Sequence, residues 1–442
     1  RAFSRFVHKK STGYCYNSGA FRWSSRDCVG QTDVQHYDPR GLAMPDLVLK
    51  NVVIPDTNDH SRVTVTVSDG VVSSIGPGCG GCGPDGIDCD GAWLLPGAID
   101  MHVHFRDPGA THKEDIRSGS GAALRAGVTT VADMPNNTPP IISAGTFLEK
   151  ADRVQASGMC DVFLYMALTS DNIDEIRKVS NHPAFAGVKV FLGATTGSML
   201  CNIDTVARAA AALDCLFVFH AEAEDVMREA ALAFGPGRSA SGHLALRPVQ
   251  AALAAVRRIA SVYRPGMRFH VCHVSTVAEL EIIEASGGIT CEAAPHHLAF
   301  SDAMTATAGD FAKMNPPLRT EGDRAALFQA LIDGRIDCLA TDHAPHLPDE
   351  KSRPWPLAPS GVPGVDTLVP WTLKLVQDGI LGVDDAVRLL STGPARILGL
   401  KDRGRVEAGL RADLIVWHPE SSWRVSNADI RSKCGWSLFD GM

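Results

Sequence analysis

The chain has 442 residues, a formal net charge of −8, 45% hydrophobic residues and 21% charged residues. That balance excludes a disordered, collagen-like or fibrous chain, and it offers no global basic field to hold nucleic acid. No apolar run approaches the ~18 residues of a membrane span, and twelve scattered cysteines are not the framework of a small secreted disulfide protein, so a reducing, cytoplasmic compartment is expected.

Residues 1–44 carry seven Lys/Arg against three Asp, a net +4, which leaves −12 on the remainder. They are rich in Ser, Tyr and Arg, show no periodicity, and read as a mobile extension. An organelle transit peptide is the minority reading. From 46 to 76 apolar and polar residues alternate through Leu47, Leu49, Val63, Val65, Val67, Val71 and Val72, the pattern of a β-meander. A Gly/Cys-rich stretch follows at 76–91. Its Cys79-Gly-Gly-Cys82 has the C-x-x-C spacing, but no second pair accompanies it, and a zinc or redox role is not expected there. Residues 412–418 form one more strand candidate near the other end. Segments 45–95 and 396–442 are therefore expected to build a small β-sandwich domain from both ends of the chain.

Between them, 96–395 alternates apolar, β-rich runs with helical stretches. The runs are 94–105, 128–134, 162–168, 187–192, 216–221, 268–274, 289–294 and 336–341. Helical segments include 117–126, 171–179, 203–213, 249–262, 277–285 and 323–332. Eight strand–helix units predict an α/β fold of the (β/α)8 (TIM) barrel type. A doubly wound sheet is the alternative, but no Gly-rich fingerprint follows the first strand.

In such a barrel the chemistry sits at the C-terminal strand ends. The first run ends in Asp100-Met-His-Val-His-Phe-Arg106, where strand alternation puts His102, His104 and Arg106 on one face. Two imidazoles at i, i+2 can chelate one metal, although the pair alone is a weak signal among 16 histidines. The fourth run holds Lys189 within Gly187-Val-Lys-Val-Phe-Leu192. A lysine in an apolar strand is ordinarily snorkelling or paired; next to metals it can instead be carbamylated by CO2 into an anionic ligand. The fifth run ends at His220, the sixth at His273 and the eighth at Asp342. Each alone reads as a satisfied core residue. Jointly, five of eight strand ends carry groups suited to a borderline cation such as zinc. Cys272 and Glu292 lie close by and read as a packed thiol and a hydrogen-bonded carboxylate with accessory potential.

Six segments carry a resemblance: 96–109 (PGAIDMHVHFRDPG), 134–140 (MPNNTPP), 187–196 (GVKVFLGATT), 291–297 (CEAAPHH), 314–319 (MNPPLR) and 340–346 (ATDHAPH). Over about residues 45–440 the chain resembles the dihydroorotase family of the amidohydrolase superfamily, the type with a binuclear, carbamylated-lysine centre. The first and last segments alone would also suit hydantoinase-like and allantoinase-like relatives. The resemblance implies that His102 and His104 bind a buried metal and that a Lys189 carbamate bridges two metals. It implies that His220 and His273 bind the more exposed metal, and that Asp342 contacts the buried one as general acid/base. Arg106, Asn136 and His346 would hold a substrate carboxylate, with Asn315 and the backbone near Pro363 and Gly364 at the ring. Thr195 and Thr196 fall where the family has a mobile loop.

The implied reaction is the reversible cyclisation of N-carbamoyl-L-aspartate to L-dihydroorotate in pyrimidine synthesis, through a metal-bridging hydroxide. The implied cofactors are two divalent cations, zinc by default, and the CO2-derived carbamate. A homodimer is expected, with room for association with other enzymes of the pathway. Arg106 is the independent discriminator: a planar guanidinium reads a carboxylate bidentately, and neutral cyclic ureides have none. A non-catalytic scaffold homologue would be expected to lose ligands, and here all six positions are filled.

Overall fold

The computed structural model describes residues 46–55, 60–77, 86–194, 199–234 and 240–442. The extension 1–44, Cys79 and Cys82, and Thr195 and Thr196 lie outside the described residues. Fourteen strands are described, in two sheets.

The first sheet contains β1 (Leu47–Val53), β2 (Arg62–Ser68), β3 (Val71–Pro77), β4 (Ile87–Asp88), β5 (Trp93–Pro96) and, from far along the chain, β14 (Leu414–Trp417). Its order is β14-β5-β1-β2-β3, with β4 on β1. The β1–β2–β3 meander is antiparallel, and β14 closes the edge antiparallel to β5. The alternating valines have the expected consequence: Leu49, Val63, Val65, Val67, Val72, Leu94 and Leu414 form one buried cluster.

The second sheet is the barrel. Its strands are β6 (Ala98–Val103), β7 (Val128–Asp133), β8 (Asp161–Ala167), β9 (Phe185–Phe191), β10 (Leu216–His220), β11 (Arg268–Val271), β12 (Thr290–Ala293) and β13 (Cys338–Leu339). They run in sequence order, every neighbouring pair parallel. β6 and β7 are buried at every residue, as strands covered on both faces must be. The ring closes where the His104 amide donates to the His343 carbonyl at 2.8 Å. Alternation divides β10: Phe217 and Phe219 join the cluster beneath the outer helices, Val218 packs inside, and His220 follows Val218 inward.

Two of the expected runs change form. The run 94–105 divides at Gly97 between the two sheets. A Cβ at Gly97 would stand 2.2 Å from the Thr129 hydroxyl, so only glycine lets the chain pass from one sheet to the other there. The last run, 336–341, shortens to two residues because beyond it the backbone turns to the first strand: Thr341 donates from its amide to Asp100 at 3.0 Å and from its hydroxyl at 2.5 Å. The helix Ala144–Ser157, capped by Ser143, is an element that the sequence reading did not include.

Segment 396–442 divides in space. Leu414–Trp417 joins the small sheet, whereas Cys434, Trp436 and Leu438 pack on Ala312, Met314, Leu318 and Val362 at the barrel rim. Buried Glu114 ties this tail down, accepting from the Ser432 hydroxyl and from the Lys433 amide at 3.1 Å.

Candidate metal centre

One pocket at the C-terminal end of the barrel is lined by His102, His104, Arg106, Asn136, Lys189, Phe191, His220, His273, Asn315, Asp342, Ala344, Ser360 and Gly361. It holds all six expected ligand positions and three of the expected substrate contacts. His346 stands directly behind, its Nε2 3.2 Å from Nη2 of Arg106. Pro363 and Gly364 are outside the lining; the Gly364 amide donates to Nδ1 of His343 at 3.1 Å.

The ligand atoms converge in two groups. His102, His104 and Asp342 offer atoms within 4.8 Å of one another, with Oδ1 of Asp342 3.2 Å from Nε2 of His102 and 2.9 Å from Nε2 of His104. In the second group Nδ1 of His220 lies 3.1 Å from Nε2 of His273. Nδ1 of His273 is buried with no hydrogen-bond partner, an orphaned base that suits a cation. Lys189 is 1% exposed. Its ammonium meets Sγ of Cys272 at 3.1 Å and no carboxylate among the described residues, an arrangement that carbamylation would relieve. The donor set fits divalent metal.

Backbone strain accompanies the chemistry. His273 and Asp342 adopt left-handed backbone, with φ of 36° and 49°, which costs a non-glycine residue about 1–3 kcal/mol. The strain turns each side chain off its strand end into the pocket.

A ring of outer groups aims the histidines. Nδ1 of His102 lies 2.5 Å from Oε1 of Glu292, and the other Glu292 oxygen lies 3.1 Å from Nε2 of His270. Nε2 of His220 faces Oε2 of Glu222 at 2.9 Å, and Arg247 donates to the same oxygen. Nδ1 of His104 faces Oδ1 of Asn136 at 2.6 Å. On His102, His104 and His220 the contact commits one ring nitrogen and leaves the other for metal. Sequence reading anticipated Glu292 but not Glu222, Arg247 or Phe191. The Cys291-Glu-Ala-Ala-Pro-His-His segment flags Glu292, whereas Glu222 and Arg247 carry no pattern that separates them from any charged pair.

Without metal the charges are strongly coupled. Burial and Lys189 oppose charge on His102, but Asp342 and Glu292 outweigh them and raise its pKa to about 10. Burial lowers His104 to about 4 and takes His273 well below the normal range, with His220 beside it. Burial alone would raise Asp342, yet His102 and His104 hold its carboxyl well below the usual carboxylate range. Burial draws the Arg106 guanidinium down to about 10, so it stays charged at neutral pH.

Residues 93–435 match the model of the amidohydrolase family, and the chain belongs to that family of metal-dependent hydrolases. Its curated relatives include dihydroorotases from Halobacterium salinarum, 39% identical over 79% of this chain and 82% of the relative, and from Methanosarcina acetivorans, 34% identical over 90% and 89%. Within the family it belongs with the dihydroorotases. Among solved structures, an L-hydantoinase (dihydropyrimidinase) from Arthrobacter aurescens superposes with a TM-score of 0.86 at 26% identity, covering 90% of this chain and 92% of that one. A dihydropyrimidinase from Brevibacillus agri superposes with a TM-score of 0.79 at 22% identity, covering 90% and 91%, and shares the fold.

Proposed function

We propose that the protein interconverts N-carbamoyl-L-aspartate and L-dihydroorotate, with His102, His104, Lys189, His220, His273 and Asp342 holding two divalent cations. The observation that carries the substrate assignment is the placement of Arg106. It leaves the same strand end as His102 and His104, lines the same pocket and stands beside His346. Asn136 reaches the same pocket from the end of β7. Three groups able to bind a carboxylate thus flank the metal ligands, and a guanidinium gives that carboxylate a fixed orientation. Asn315, which lines the same pocket, is left for the ring.

Cations bound here, zinc by default, would supply Lewis-acid polarisation of the amide carbonyl and an acidified water. Lys189 as a carbamate adds the negative charge that the four neutral imidazoles lack. Asp342 carries the proton: it takes one from water as the ring opens and delivers it to the leaving ring nitrogen, and closure reverses both transfers. Closure consumes a proton, so it gains as pH falls and opening gains as pH rises. Phe191, Ala344, Ser360 and Gly361 complete the wall of the pocket.

Among the described residues no helix is long and apolar enough to cross a membrane. A cytoplasmic homodimer acting on a small molecule, with no nucleic-acid partner and with association to other pyrimidine enzymes open, suits this reading.

A substrate panel on protein prepared with zinc and bicarbonate tests it. Dihydroorotate should be opened, and dihydrouracil, hydantoin and allantoin left intact. Turnover of a neutral ureide instead would keep the family and the ligands and overturn the role of Arg106.

A further inference from the structure

We propose that Lys113 is a positioning residue for the substrate carboxylate: by donating to Nδ1 of His346 it fixes the tautomer that presents an N–H from Nε2 to the pocket. The proposal rests on the reading of Arg106 and His346 as carboxylate-binding groups.

Three neighbours define the His346 ring. Nζ of Lys113 lies 3.1 Å from Nδ1. The Ser360 carbonyl lies 3.1 Å from Nε2, and Nη2 of Arg106 lies 3.2 Å from the same nitrogen. An ammonium only donates and a carbonyl only accepts. Nδ1 must therefore carry the lone pair and Nε2 the proton. The reverse tautomer would set Nδ1–H against an ammonium and a lone pair against a carbonyl, two losses against one gain from Arg106. Burial, with Arg106 and Lys113 on either side, drives the His346 pKa far below its ordinary value, so a doubly protonated ring is excluded as well.

The consequence is geometric. Nε2–H of His346 and the Arg106 Nη2 group are two donors side by side; a carboxylate oxygen set between them accepts from Nη2 and shares the Nε2–H with the Ser360 carbonyl as a three-centre bond. Glu350 is the competing acceptor. It lies 3.0 Å from Nζ of Lys113, and its Oε2 lies 3.8 Å from Nδ1 of His346. With Lys113 removed, Glu350 would draw the proton to Nδ1 and turn a lone pair on the substrate carboxylate. Chain geometry supplies the lysine: the Ala110 amide donates to the Arg106 carbonyl at 2.8 Å and the Lys113 amide to the Ala110 carbonyl at 2.9 Å. One short loop thereby delivers Arg106 and Lys113 to opposite sides of one imidazole.

The experiment reads the tautomer and the kinetics together. Long-range proton–nitrogen spectra of histidine-labelled parent protein should show His346 protonated on Nε2. Lys113→Met should move the proton to Nδ1 and raise KM for dihydroorotate ~10- to 100-fold, the loss of a charge-assisted hydrogen bond, with kcat little changed. Lys113→Gln keeps a donor without the charge and should restore the tautomer and most of KM. A parent ring protonated on Nδ1 overturns the proposal without any variant, whether or not Lys113→Met folds. An unmoved tautomer in Lys113→Met, or a loss confined to kcat, overturns it too. Failure of the parent to open dihydroorotate falls on the substrate reading instead, since the tautomer is read on the protein alone.

Discussion

At Asp342, exchange of one oxygen for an amide leaves the size of the side chain and removes its capacity to carry a proton. Asp342→Asn should lower turnover of dihydroorotate ~10³-fold or more while bound metal, measured by elemental analysis, stays near the parent level. An active Asn variant, with deamidation excluded, would sink the assignment. Glu222 makes a different prediction. Burial would raise its pKa, but Arg247 and His220 pull it far below the usual 4.5. A depressed folded pKa contributes stability above about 4.5, and that stability is lost as pH falls below it. Metal-free Glu222→Gln should therefore melt lower than the parent at pH 7 and decline less steeply between pH 5 and 3. Parallel melting curves against pH would refute the coupling. The six positions proposed as ligands were readable because each is a polar side chain within or just beyond an apolar strand, where nothing structural asks for it. Glu222, Arg247 and Lys113 lie in loops or near helix ends, among many charges that face water, and only their partners distinguish them.

Between strands and helices, the segment from Pro345 to Gly361 is the element on which substrate geometry depends. It carries His346 and Ser360, and it is held from beneath by Lys351, which is fully buried and donates to the carbonyls of Lys313, Pro359 and Gly361 at 3.0 Å each. Gly361 at φ +136° has no room for a Cβ, which would meet the Ala344 carbonyl at 2.7 Å. The tail closes on the same element: the Trp436 indole donates to the His346 carbonyl at 2.8 Å. Removing that ring should cost about 3–5 kcal/mol of stability and raise KM, because the His346 backbone loses its brace. Urea unfolding and steady-state kinetics of Trp436→Ala check both; a stability loss with unchanged KM would separate the brace from the site. None of this element is periodic, so its role was out of reach of patterning, which reads burial along a strand or helix but not what a loop grips.

Over the whole molecule, the barrel was readable because parallel strands buried on both faces leave continuous apolar runs, and eight of them alternated with helical stretches. The break inside the run 94–105 was not, since a single glycine at 97 divides what reads as one strand, beside the boundary expected at 95/96. The folded barrel brings His102 and Asp342 together across 240 residues, and the unfolded chain has no such site. Metal should therefore bind the native state and stabilise it, by about 4 kcal/mol at a free concentration a thousand times Kd. Chelation should lower the melting temperature and zinc should restore it; an unchanged melting curve would mean that the ligands take up no metal in the folded protein.

The hydrogen bond from Trp436 to His346 also makes the end of the chain a reporter. Free-energy coupling between two places is reciprocal: if the tail steadies the ring that grips a carboxylate, an occupied carboxylate site steadies the tail. The amides of Ser432 and Lys433, which donate to Asp366 and Glu114, should then exchange with deuterium more slowly when dihydroorotate is present. Local opening of that tail would report occupancy through backbone amides, where it can be followed without a coloured substrate or a coupled assay.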